Sequence, residues 1–198
     1  LLAPHCLAQR LKVMQDHTQL DFAVFKMQFF KQHPGDDPRL WNLETKENPL
    51  QRFLKLDAVW QTSGPIWKKT ALETIGGFNE ELKCWQDIDI HLKALTNDLN
   101  YSIRYDLSVD CYYRKDANDT ISQSNMNSPE KLKSKALLYD WVSSTLKNSD
   151  YDFTSLGIHT LVSAINANNK VFFDTFYPKV KLQLSDKMQT TILKMARL

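Results

Sequence analysis

The chain has 198 residues, 42% of them hydrophobic, enough for one domain with a real core or for one domain with an appendage. Its 25 Lys and Arg stand against 23 Asp and Glu with the signs interspersed, so no basic stripe points to nucleic acid. Cys6, Cys84 and Cys111 are widely separated and support neither a disulfide framework nor a zinc site, and every apolar run stops short of the roughly 18 residues a membrane span needs.

Pro4 suits a first helical turn, and Leu7, Leu11 and Met14 follow at helical spacing to about Asp16. Phe22 to Phe25, extending towards Phe30, has the composition of a buried strand. Gln32 to Pro49 holds four loop-forming prolines and glycines among polar residues and reads as a loop carrying Trp41. Leu50, Phe53, Leu54 and Leu56 form the partial stripe of a helix behind Pro49. Ala58 to Trp67 alternates like a strand that turns at Gly64-Pro65, and Lys68 to Ile75 is a short helix stopped by Gly76-Gly77.

The stretch from Gly76 to Leu95, GGFNEELKCWQDIDIHLKAL, organises the chain. Ile88, Leu92 and Leu95 fall at i, i+4 and i+7, one apolar face of a helix, with Asp87 and His91 on another. Asp87 stands where unpaired backbone N–H groups and the positive end of the helix dipole favour a carboxylate, and there it can serve as a general base if a cleft lies in front of it. The plain alternative is a helix cap, with Asp89 and Lys93 as a solvated pair. Beyond it, Tyr101 to Tyr105 and Val109 to Tyr113 read as strands, and Lys115 to Ser128 as a mobile polar loop. From Pro129 the pattern is helical: Leu132 to Val142, Leu156 to Ile165, Val171 to Phe176 and Leu184 to Leu198. The five histidines have no metallohydrolase spacing, and Ser63-Gly64 lacks a nucleophile-elbow frame.

Over residues 1–125 the order LAQRLKVMQDHTQLDFAVF, TSGPIWKKTALETIGGFNEEL, WQDIDIHLKAL and YYRKDANDTISQS resembles the acceptor-side half of an inverting, GT-A-fold glycosyltransferase of the family 2 type. The resemblance implies an α/β fold, a partial GT-A mixed sheet with flanking helices, followed over 129–198 by an α-helical extension. It implies Asp87 as the base that deprotonates an acceptor hydroxyl. Gln86 stands where the family usually has Glu, so a hydrogen-bonding group remains but a charge is lost. Gly76 and Gly77 match backbone close to the sugar, while Trp85 is placed to stack on an acceptor ring or to fill the core, an ambiguity Trp60 and Trp67 share. Arg114 matches an arginine that can neutralise a diphosphate, and Asp116 occupies the position of a metal-binding His; carboxylate oxygen suits Mg²⁺ or Mn²⁺.

The implied partners are a nucleotide-sugar donor and a glycan acceptor, at the cytoplasmic side. The family's DXD acids and nucleotide-binding half belong before Leu1, so the 198 residues are expected to be inactive alone. The rival reading is a non-catalytic binding or scaffold domain on the same framework. For the lysine-rich C-terminal helices, packing on the core, self-association and contact with an anionic membrane surface all remain open.

Overall fold

The sheet is assembled on Phe22. The structure is a computed structural model that describes residues 1–115 and 126–196. In it Phe22 opens β1 (Phe22–Phe25), a strand whose four side chains are all buried. Such a strand needs cover on both faces and a neighbour on both edges. β1 accordingly lies between β3 (Pro65–Trp67), antiparallel to it, and β4 (Tyr101–Arg104), parallel to it. The register sets Phe22 opposite both Trp67 and Tyr101, and the rings stack with centroids 4.2 Å and 5.0 Å apart. Against this row pack Phe53 of α2 (Pro49–Leu54), the buried Trp60, and His91 of α4 (Gln86–Thr96).

The strand expected to run from Phe22 towards Phe30 is divided at Lys26. Buried Asn42 donates from its amide nitrogen to the Phe25 carbonyl and accepts the Met27 N–H, replacing ladder bonds at the break. Past it, β2 (Met27–Phe30) pairs in parallel with β5 (Cys111–Arg114) as a separate two-stranded sheet. The strand expected over Ala58 to Trp67 is also shorter. Only Pro65 to Trp67 pairs, on a sheet edge where the missing proline N–H is tolerated, and Val59 and Trp60 reach the core from irregular backbone.

In α1 (Cys6–Asp16) the inward face is not the expected one. Leu7 and Leu11 are 68% and 53% exposed, whereas Cys6, Arg10 and Val13 are buried. The cause is a directional pair: Arg10 Nε and Nη2 donate to the two oxygens of buried Asp110 at 2.8 Å and 2.7 Å, while Nη1 donates to the Ser63 carbonyl at 2.8 Å. The guanidinium also lies 4.9 Å from the Phe25 ring centroid. A desolvated bidentate pair fixes the helix rotation more sharply than apolar burial does.

α3 (Lys69–Thr74) ends as the sequence predicts, with Gly76 and Gly77 at φ 80° and 63° and the Gly77 N–H donating to the Leu72 carbonyl. Four helices follow: α5 (Pro129–Thr145), α6 (Thr154–Asn166), α7 (Lys170–Lys181) and α8 (Asp186–Met195). Leu132, Leu138, Tyr139 and Val142 of α5 and Leu156 and Leu161 of α6 join Phe22, Phe53 and Trp60 in one buried cluster, so these helices complete the core. Among the described residues no helix is long and apolar enough to cross a membrane.

Two outcomes follow from this packing. A Cβ at Gly157 of α6 would lie 2.5 Å from Val180 Cγ1 and 3.0 Å from Tyr139 Cε2. Gly157→Ala is therefore expected to cost about 1–3 kcal/mol in urea unfolding, with partial recovery in the Val180→Ala background. Burial holds the His91 imidazole down at about 3, so the folded state does not take up the proton that the unfolded chain binds below about 6.5. Its contribution is intact above pH 6.5 and is lost as the pH falls. Between pH 7 and pH 5 it should remove about 2 kcal/mol of stability. The difference between wild type and His91→Leu across that range measures it, and parallel pH profiles would contradict it.

Candidate functional site

The segment entering α4 is gripped residue by residue from α5. The Lys83 N–H donates to Ser134 Oγ at 2.8 Å, the Cys84 thiol donates to the Lys131 carbonyl at 3.6 Å, and Lys135 Nζ lies 5.4 Å from the Trp85 ring centroid. Residues 131, 134 and 135 share one helical face, so three consecutive residues of the loop meet one surface of α5. Trp85, the N-cap of α4, has left-handed backbone at φ 63° and ψ 20°. For a bulky residue that conformation costs on the order of 1–3 kcal/mol and persists only where surroundings enforce it. Here Lys135 and the His159 ring, 5.2 Å away on α6, supply that enforcement. The Trp85 carbonyl in turn accepts the Asp89 N–H and starts the helix.

Asp87 is the second residue of α4 and half-buried. Its Oδ1 accepts the Ile88 N–H at 2.9 Å, and among the described residues its carboxylate has no other hydrogen bond and no ion pair. Gln86 turns back instead, its Nε2 donating to the Leu82 carbonyl at 2.9 Å and closing the loop. Asp89 and Lys93 do pair, at 2.8 Å, but not in solvent: Asp89 is buried, and that burial pushes its carboxyl up while Lys93 opposes the shift. His91, read from spacing as sharing a face with Asp87, belongs to the aromatic core.

Beneath the segment sits Lys135, with no exposed surface. Its ammonium donates to Ser163 Oγ at 2.7 Å and to the Met126 carbonyl at 2.9 Å, with the Trp85 ring as a third neighbour. Burial pushes its pKa down. Burial likewise pushes the Cys84 thiol up, tempered by Lys135 and Lys131 and reinforced by Asp87. Cys84 is thereby kept a thiol, which removes it as a nucleophile. The His159 imidazole is held down by lost hydration and by repulsion from Lys135.

Trp85 is thus held against α5 and α6, with Gln86 and Asp87 next to it in the chain, while the remaining sequence candidates stand on other elements. Gly76 and Gly77 terminate α3, and among the described residues no atom lies within 4 Å of where a Cβ would project. Arg114 ends β5, exposed, its guanidinium 5.3 Å from the Phe30 ring centroid. Asp116, and with it most of the predicted polar loop, lies outside the described residues. Among the described residues no three His, Cys, Asp or Glu side chains come together to hold a metal ion, so no chemical step is assigned to one. Comparison with protein-family models, curated proteins and solved structures finds no match.

Lys131, Ser134, Lys135, His159 and Ser163 were missed from sequence because they lie beyond the apparent end of the α/β part. One signal was present: Lys135 interrupts the apolar series Leu132, Leu138, Tyr139 and Val142, a stripe where a lysine needs a buried partner. Lys135→Met is expected to cost about 1–3 kcal/mol and to raise amide hydrogen exchange at Trp85 to Ile88 on the order of tenfold or more. Unchanged exchange in a folded variant would mean that Trp85 is held by other means.

Proposed function

We propose that this chain supplies the acceptor side of an inverting glycosyltransferase of GT-A type, with Asp87 as general base. The reading is carried by one observation: a carboxylate anchored through one oxygen to the Ile88 amide at a helix mouth, with the second oxygen uncommitted among the described residues. In the proposed step that oxygen takes the proton of an acceptor hydroxyl as the hydroxyl oxygen bonds to the anomeric carbon. The bond from that carbon to the nucleoside diphosphate breaks, the leaving group departs with the electron pair, and the configuration inverts. Trp85 offers an aromatic surface beside the base, and Arg114 a cation for the leaving diphosphate. The mixed sheet around β1 and the left-handed turn at Gly76-Gly77 support the same assignment. Under this reading turnover occurs at the cytoplasmic side with a nucleotide sugar and a glycan acceptor.

A second reading, a non-catalytic scaffold on the same framework, is favoured by Gln86, whose amide is neutral and already spent on the Leu82 carbonyl. The two are separated in the full-length protein by Asp87→Asn. A catalytic base predicts a loss of about 10²–10⁴-fold in kcat with little change in KM, measured as nucleoside diphosphate release from a panel of nucleotide sugars. Equal rates in variant and wild type would remove the assignment.

A further inference from the structure

Residues 166–196 present a surface whose chemistry the proposed site does not use. α8 buries Ile192 alone, and two shallow grooves run beside it. One, of about 280 Å³, is lined by Ile165, Phe173, Leu193 and Met195, and the other, of about 390 Å³, by Ile158, Val162, Met188 and Met195. Met195 lines both and joins them into one apolar face, on which Met188 is 44% and Leu193 37% exposed. Lysines lie in or near these grooves. Lys170 and Lys187 line the grooves, Lys194 stands between Leu193 and Met195, and Lys181 precedes Leu182, which is 93% exposed. Lys170 pairs with Asp174 and Lys179 with Asp140, but Lys181, Lys187 and Lys194 form no ion pair among the described residues.

We propose that this face docks on an anionic bilayer surface, an inference independent of the catalytic reading. Residues 166–198 carry five lysines and one arginine against two aspartates, a side-chain net charge of +4, so their complement is negative. Protein interfaces favour arginine and aromatic anchors and are depleted in lysine, which argues against an acidic protein as occupant. Lysine stems instead lie along apolar surface and lift their ammonium groups to lipid phosphates, while short apolar side chains enter between headgroups. No described helix can span a bilayer, so the contact is peripheral.

The test is co-sedimentation of the 198-residue protein with phosphatidylcholine vesicles and with vesicles that also contain phosphatidylglycerol, at low and high salt. Binding is expected to the anionic vesicles only, and to weaken with salt. Replacing Lys181, Lys187 and Lys194 together with Gln should lower the partition on the order of 100-fold, at about tenfold or less per lysine. Met188→Ser with Leu193→Ser should weaken it without changing its salt dependence; all five positions are exposed, and circular dichroism checks that the fold is kept. Equal partition to neutral vesicles, no partition at all, tighter binding to polyglutamate than to vesicles, or self-association abolished by the same variants would each overturn the proposal.

Discussion

Phe22 is held between Trp67 and Tyr101, and that stack sets the three-stranded sheet on which α4 packs. The three rings come from strands far apart in sequence and meet on one rung, which fixes the register of β1 with both neighbours. His91 then lays its imidazole parallel to Trp67, at 7° between ring planes, and brings α4 down on the sheet. Among the described residues neither His91 nitrogen has a hydrogen-bond partner, nor has Trp60 Nε1. Such groups are costly to bury, so the fold spends stability on aromatic packing that a leucine would not reproduce in shape.

The body of α4 is thus set by the sheet, while its mouth is set by α5. These two attachments have different physics. Aromatic stacking and apolar burial locate the helix axis, whereas a hydroxyl, a carbonyl and an ammonium seize Lys83, Cys84 and Trp85 in turn. The left-handed backbone at Trp85 lies between the two attachments, which is where a conformation of local strain can be sustained.

Buried polar pairs do similar work elsewhere. Arg10 with Asp110 ties α1 to the start of β5 and turns two leucines outward, and Asn42 divides what would be one long strand into two that serve different sheets. Each case replaces a nonspecific apolar preference by an interaction with a defined angle. Where these pairs occur, the pattern of hydrophobic residues ceases to predict which face is inside.

The sequence alone determined the kinds of element and much of their order. Pro49, Pro129, Gly76 and Gly77 are local signals acting within a turn of the chain, so the helices they bound are legible. The sequence also singled out Asp87 and its place at a helix mouth, because that depends only on neighbours in the chain. It did not show that Arg10 and His91 point inward, that a strand breaks at Lys26, or that Lys135 lies under Trp85. Those outcomes depend on Asp110, Trp67, Asn42 and Ser163, partners that only the folded chain brings within hydrogen-bonding or stacking distance. Periodicity records how often a side chain is apolar, not which distant group a polar one will find, and tertiary structure decided the site at that point.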